Sequence, residues 1–192
     1  MTTNKFLVGC LCILLVSCGP STQITKTWTD PSLTPSTATQ IHKVLCIGLM
    51  NNETNRRIAE DKMVGAFKRA TGVQSYSYLT AADTVKEQVE ERLKKDGFDG
   101  VIIMHLTGVD KSLNYNPGTG YYGWYGYRGN PGYYSEDKTF YVETNYYSLA
   151  NNKMLWSGTT SSLNPTKMES TMDDIITALK GQLQQQGLYK PK

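Results

Sequence analysis

The sequence predicts an α/β domain, a mixed sheet with helices packed on it, and three observations carry that prediction. Two short, nearly unbroken apolar runs, His42–Met50 and Gly100–Leu106, read as strands buried on both faces. Segments of helical period separate the strands, giving the order βαβαβ and therefore a largely parallel first half with right-handed crossovers. Past residue 138 the period changes to two. Phe140, Val142, Thr144 and Tyr146 alternate with Tyr141, Glu143, Asn145 and Tyr147, and a return strand from Met154 to Thr160 makes an antiparallel hairpin.

The elements follow in order. After the strand at 42–50, Asn51-Asn-Glu-Thr54 offers helix N-caps. Ala59, Met63, Ala66, Phe67 and Ala70 then recur at helical spacing, and Gly72 is the stop. Arg56, Arg57, Glu60, Asp61 and Lys62 fall outside that stripe, so Arg56–Glu60 and Arg57–Asp61 read as i,i+4 ion pairs on a wet face. Val73 to Tyr78 reads as the next strand. Thr80 to Asp83 resembles a capping box, and Val85, Val89 and Leu93 mark the inner face of a second helix that Gly97 ends. In the second half, Ala150–Lys153 is the hairpin turn and Thr166–Glu169 a full capping box. Met168, Met172, Ile175, Leu179 and Leu183 line a long closing helix, with Gly187 after it.

Between strand 100–106 and the hairpin lies a Tyr/Gly insertion over 112–136, densest from Tyr115 to Tyr134. Tyr and Gly are favoured in paratopes, since they put rigid amphipathic contact area on an adaptable backbone. Tyr115, Tyr121, Tyr122, Trp124, Tyr125, Tyr127, Tyr133 and Tyr134 are the candidate partner-binding residues. Loops this long are usually functional or disordered. The other reading is a mobile hairpin extension that contacts nothing specific.

The two ends of the mature region differ in character. Residues 18–40 are rich in Ser, Thr, Pro and Gln and read as a flexible tether spanning on the order of 25 Å. Trp28 does not suit a plain tether, so Ile24–Trp28 is expected to add a short edge strand, ended by a turn at Asp30-Pro31. The single α/β domain is then 41–190. At the amino end, Lys5 and the apolar run Phe6–Val16 form a signal peptide, residues 1–17, too short for the about 20 apolar residues of a spanning helix.

Leu15-Val-Ser-Cys18 resembles a bacterial lipobox, and the alternative is an ordinary secreted protein cut nearby. The resemblance implies a diacylglycerol on the Cys18 sulfur and a third acyl chain on its amino group. At roughly 0.8 kcal/mol per buried CH₂, two or three chains hold where one does not. Gly19 is not the aspartate that retains such proteins at the inner membrane, so the resemblance implies the outer membrane. From Gly19 to Thr29 there is no acidic residue, which favours the periplasmic leaflet.

Composition excludes several classes. Removing Lys5 with the signal peptide takes the 20 Lys and Arg to 19, against 17 Asp and Glu, and no basic stripe is present. That gives no field for nucleic acid. Of the four cysteines, Cys10 and Cys12 leave with the signal peptide and Cys18 is the acylation site, so Cys46 remains as a small core residue. His42 and His105 have no second ligand at metal spacing, and no cofactor is expected. No nucleophile elbow, zincin or Walker-type motif occurs. Asp99 and Asp110 flank the central strand, where α/β sheets bind ligands, and they keep an enzyme alternative open.

The lipobox, Trp28-Thr-Asp-Pro31, Arg56-Arg-Ile-Ala-Glu-Asp61, Asp99-Gly-Val-Ile-Ile103 and Leu155-Trp-Ser157 together resemble small bacterial envelope lipoproteins of Bacteroidetes type. The element order is similar to small α/β domains of the periplasmic curli-secretion lipoprotein and of the amino-terminal part of the Tol translocation protein. The resemblance implies a non-catalytic binding or scaffold module, whose partners are the membrane, through Cys18, and an envelope protein. A glycan or peptidoglycan bound by the aromatic insertion is the alternative.

Overall fold

The computed structural model describes residues 21–38, 40–80, 82–83, 85–116, 120–123, 126–129 and 133–189. In chain order the elements are β1 (Thr22–Thr29), α1 (Pro35–Ala38), β2 (Lys43–Leu49), α2 (Glu53–Ala66), β3 (Thr71–Gln74), α3 (Ser75–Tyr78), α4 (Lys86–Lys95) and β4 (Gly100–Asn116). They continue with β5 (Gly120–Gly123), β6 (Gly126–Gly129), β7 (Tyr133–Ser148), β8 (Lys153–Leu163) and α5 (Met168–Gln185). The main sheet has six strands in the order β1-β8-β7-β4-β2-β3. β3, β2 and β4 run parallel, and β4, β7, β8 and β1 antiparallel. This is the mixed α/β sheet that the two periodicities predict.

The connections fix which face each helix covers. From β2 the chain passes through α2 to the edge strand β3, then returns past β2 to β4. Right-handed crossovers in opposite directions put their helices on opposite faces. The two cores agree. On one face Val44, Cys46 and Met104 meet Ala59 and Met63 of α2 and Met172, Ile175 and Leu179 of α5. On the other, Leu45 and Val101 meet Leu93 of α4, Phe98 and Leu149. The alternation of 44 and 46 against 45 shows β2 buried on both sides, as its unbroken apolar run requires.

Local chemistry moved several boundaries. Asn52 caps α2, its side chain accepting from Asn55 N at 2.9 Å. The helix stops at Ala66, short of Ala70, because Phe67 turns extended and β3 passes close by. A Cβ on Gly72 would lie 2.9 Å from the Phe67 ring and 3.0 Å from Val64, so only glycine fits that approach. Thr80–Asp83 closes a local turn, with the Asp83 carboxylate taking the Thr80 N–H at 2.6 Å and Arg92 at 2.8 Å; α4 begins later, at Lys86. The Thr166–Glu169 box does not form either. Lys167 is the N-cap, and its carbonyl accepts from the Thr171 hydroxyl at 2.7 Å.

Two corrections concern whole segments. The stretch expected as a flexible tether over 18–40 carries two elements. β1 pairs with β8 from Thr22↔Ser162 to Thr29↔Trp156, and α1 follows. The expected edge strand at 24–28 therefore exists and is longer, while Trp28 stays 47% exposed. Asp30 secures the end of β1. It accepts from the Ser32 hydroxyl and N–H and from Lys153 Nζ at 3.0 Å, and these hold its carboxyl at about 2. The second correction is the strand expected over 73–78. Only 71–74 is strand, and 75–78 is a single helical turn.

Glu60 explains that turn. The wet-face pair with Arg56 does not exist: Arg56 and Arg57 both bind Glu53, at 2.8 Å. Glu60 is fully buried, and its carboxylate accepts from Gly48 N at 3.1 Å, Ser75 Oγ at 2.6 Å and Tyr76 N at 3.1 Å. Asp61 takes the Tyr76 hydroxyl at 2.6 Å rather than Arg57. These bonds draw the chain after β3 back against the middle of α2, and the backbone curls.

Glu60→Ala leaves three donors without an acceptor at a buried point. At about 1–3 kcal/mol each, the expected loss is on the order of 3 kcal/mol or more by urea unfolding; a loss below about 1 kcal/mol contradicts the role given to the carboxylate. Cys46 has no exposed surface, and burial, helped by the nearby Glu60 charge, pushes its thiol up to about 12. Native protein should therefore resist maleimide and react only in denaturant, and Cys46→Ala should cost about 1 kcal/mol through lost volume. Rapid labelling of the native thiol contradicts the buried strand.

Candidate functional site

The Tyr/Gly insertion is not a loop over 112–136. β4 and β7 stay paired throughout, from Gly100↔Ser148 to Asn116↔Tyr133. β8 accompanies β7 only as far as Thr139↔Leu163. From Lys111↔Lys138 to Asn116↔Tyr133 the chain is thus a two-stranded ribbon projecting from the sheet. Beyond it β5 and β6 pair antiparallel, from Gly120↔Gly129 to Gly123↔Gly126. The physical reason is the sequence itself. Tyr, Thr and Val favour strands, and the polar residues between them alternate to the other face. Glycine density hides that period.

The ribbon has two chemically distinct faces. β7 is unbroken against β4, so its even residues, from Tyr134 to Tyr146, share one side. A bulge in β4 between Leu106 and Gly108 shifts that strand by one residue. Val109, Leu113 and Tyr115 therefore join the side of Phe140 and Tyr134, continuous with the face that α5 covers. Leu113 is 74% exposed and Tyr134 73%, and the Tyr115 and Tyr134 rings stack tilted at 5.0 Å. Glu136 sits between Lys111 and Lys138, 3.5 Å from each, on the same side, and these two cations lower its carboxyl's pKa. The opposite face carries Tyr133 beside a polar network, with Asn116 donating to Ser135 at 3.1 Å and both Asn114 and Asn164 donating to Asp137.

Of the expected partner-binding residues, Tyr115, Tyr133 and Tyr134 lie exposed on the ribbon. Tyr121, Tyr122 and Tyr127 belong to the backbone of β5 and β6. Trp124 and Tyr125 lie outside the described residues, as does Cys18.

A second feature was not legible in the sequence. α2 ends at Ala66 whereas α5 runs on to Gln185, and the sheet under the last turns of α5 is not filled. A cavity of about 260 Å³ remains, floored by Ile102, Met104, Thr144, Tyr146 and Trp156. Phe67, Leu179 and Leu183 wall it. α1 and residues 187–189 complete it, with Pro35 packed on Gly187. Trp156 is held by Gln186, which accepts from Nε1 at 2.9 Å. Burial, then the Asp99 charge, pushes the Tyr146 phenol up to about 12. Gly100 makes room for that ring, since a Cβ there would lie 2.5 Å from it.

The residues expected to keep an enzyme reading open have structural work. Asp99 accepts from the backbone N–H groups of His42 and Lys43, at 2.6 and 2.8 Å, at the amino end of the parallel strands. The Asp110 carboxylate beside the Tyr141 hydroxyl raises that phenol's pKa. Among the described residues no group of three or more His, Cys, Asp or Glu is placed to hold a metal, and no helix is long and apolar enough to cross a membrane.

No family model and no curated protein matches the chain. Among solved structures, the PelC dodecamer of Paraburkholderia phytofirmans is 11% identical, covers 89% of this chain and 99% of its own, and has a TM-score of 0.46. Lipoprotein GNA1162 of Neisseria meningitidis is 12% identical over 75% of this chain and 99% of its own, at 0.42. A neuraminyllactose-binding hemagglutinin homologue of Helicobacter pylori is 10% identical over 76% of this chain and 90% of its own, at 0.38.

No described residue of the ribbon beyond Thr139 belongs to either core, so replacing residues 115–134 by a short Gly-Ser bridge should leave the melting temperature nearly unchanged. A shorter closure makes a slight gain possible. A fall of several degrees in a thermal melt would show that the arm is part of the folding unit.

Proposed function

We propose that this chain is a non-catalytic binding or scaffold module of the bacterial envelope, acylated at Cys18 and held on the periplasmic face of the outer membrane. One observation carries the binding role. A two-stranded arm projects from the sheet, with Leu113, Tyr115, Tyr133 and Tyr134 exposed. Exposed aromatics on a rigid ribbon are characteristic of contact surfaces, where Tyr and Trp dominate the binding energy. The free edges of the ribbon also offer strand addition. The partner in this reading is an envelope protein, and the near-neutral charge of the chain offers no field for nucleic acid. The stacked Tyr115–Tyr134 pair supports a second reading, a glycan or peptidoglycan strand laid on the aromatic face.

Replacing Tyr121, Tyr122, Trp124, Tyr125 and Tyr127 with Ser keeps the length of the insertion and removes five of its aromatic side chains. Photocrosslinking in living cells from position 134 should capture a discrete protein with the native arm and lose it with the Ser variant. Passing mixed glycan oligomers over the immobilised domain separates the two readings. Retention of glycan, with no protein crosslinked, favours the second, and retention of every captured partner by the Ser variant overturns both. The anchor has its own test. Cys18→Ser should abolish fatty-acid labelling and leave precursor or release the domain, whereas unchanged labelling removes the lipobox reading.

A further inference from the structure

The cavity beneath α5 has the chemistry of a ligand site, and it is independent of the arm and of the reading above. Its volume, about 260 Å³, lies between an engineered cavity of roughly 150 Å³ that takes up benzene and the roughly 300 Å³ at which small-molecule pockets begin. Its lining is aliphatic and aromatic except at two places. The first is deep. Thr144 is 6% exposed, lines the cavity, and its Oγ1 has no hydrogen-bond partner among the described residues. A buried hydroxyl without a partner costs stability, and in a lined cavity it marks where a polar group of a ligand is met.

The second is the rim. Lys68, Arg69 and Lys180 line the cavity, and no Asp or Glu does. Lys68 and Arg69 are exposed and Lys180 half-buried. Some cations of this domain sit on acids, as Lys62 does on Asp173 at 2.7 Å and Arg92 on Asp83 at 2.8 Å, while others, such as Lys26, Lys94 and Lys167, stand apart on the surface rather than around this cavity. Lys68, Arg69 and Lys180 form no salt bridge among the described residues. An apolar hole ringed by three unpaired cations complements one kind of molecule, a hydrocarbon chain ending in a negative charge.

We propose that this cavity binds the acyl chain of an anionic single-chain amphiphile, its carboxylate or phosphate on Lys68, Arg69 and Lys180. Phe67, Leu179 and Leu183 take the hydrocarbon, and Thr144 meets the one polar group that enters. Two sources supply this chemistry, a free fatty acid and an anionic lysophospholipid.

Trp156 on the cavity floor is the reporter. Purified full-length protein carrying Trp28→Phe and Trp124→Phe is titrated below micelle-forming concentrations with laurate, lauroyl-lysophosphatidylglycerol and dodecanol. Saturable change in Trp156 fluorescence is expected with at least one of the two anions, and which one responds identifies the source. Dodecanol should bind about tenfold more weakly, the equivalent of one charge-assisted contact. The surface variant Lys68→Ala, Arg69→Ala, Lys180→Ala leaves the core intact and should erase that difference. Leu179→Phe, which adds bulk to the cavity wall without a second indole, should weaken the response, and an undiminished one counts against the proposal. Equal binding of dodecanol and both anions, an undiminished anion preference in the triple variant, or no response to either anion overturns the proposal.

Discussion

The ladder between β4 and β7 is the constraint on which the rest of this molecule depends. β4 belongs to two structures at once. Its first residues pair parallel with β2, Val44↔Gly100 to Leu49↔His105, and its whole length pairs antiparallel with β7. The strand therefore welds a crossover-built α/β half to a hairpin-built half. Because the ladder continues after β8 has left it, the same strand carries the arm into solvent. A break in this pairing would separate the cores and the arm together.

The bulge between Leu106 and Gly108 gives the ladder its second consequence. Strand side chains alternate, so one inserted residue reverses the faces of everything beyond it. Without the bulge, Val109, Leu113 and Tyr115 would point to the side of Asn145 and Glu143. With it, they line up with Phe140 and Tyr134 and extend the apolar face that α5 covers nearer the domain. The exposed aromatic surface is thus an uncovered continuation of the core face. Its reverse is stabilised by Asn and Asp side chains.

Glu60 plays a matching part at the other end of the sheet. A carboxylate with no exposed surface is tolerated only where donors meet it, and here one comes from β2 and two from α3. It fixes where β3 ends and sets α2 against the sheet. α2 in turn ends early, at Ala66, and that early stop leaves the cavity under α5 which α1 and the last residues only partly close. The cavity and the buried carboxylate follow from the same helix.

The sequence by itself determined the fold class, the order of the main elements and the double burial of β2, because these depend on period and local propensity. The 44–49 run, the Phe140–Tyr147 alternation and the Met172–Leu179 stripe each state their own environment. It also placed the edge strand, through Trp28, although that tryptophan remains half-exposed at the edge of the sheet. The fate of Glu60 was half-written. Its spacing from Arg56, Ala59 and Met63 puts it beside the inner stripe, but its charge argued for the wet face, and only the donors brought by β2 and α3 decide between them. The continuous pairing of 112–116 with 133–137, the cation-rimmed cavity and the unpartnered Thr144 were decided by tertiary structure alone. Each depends on residues far apart in the chain arriving at one place, and no local period records that.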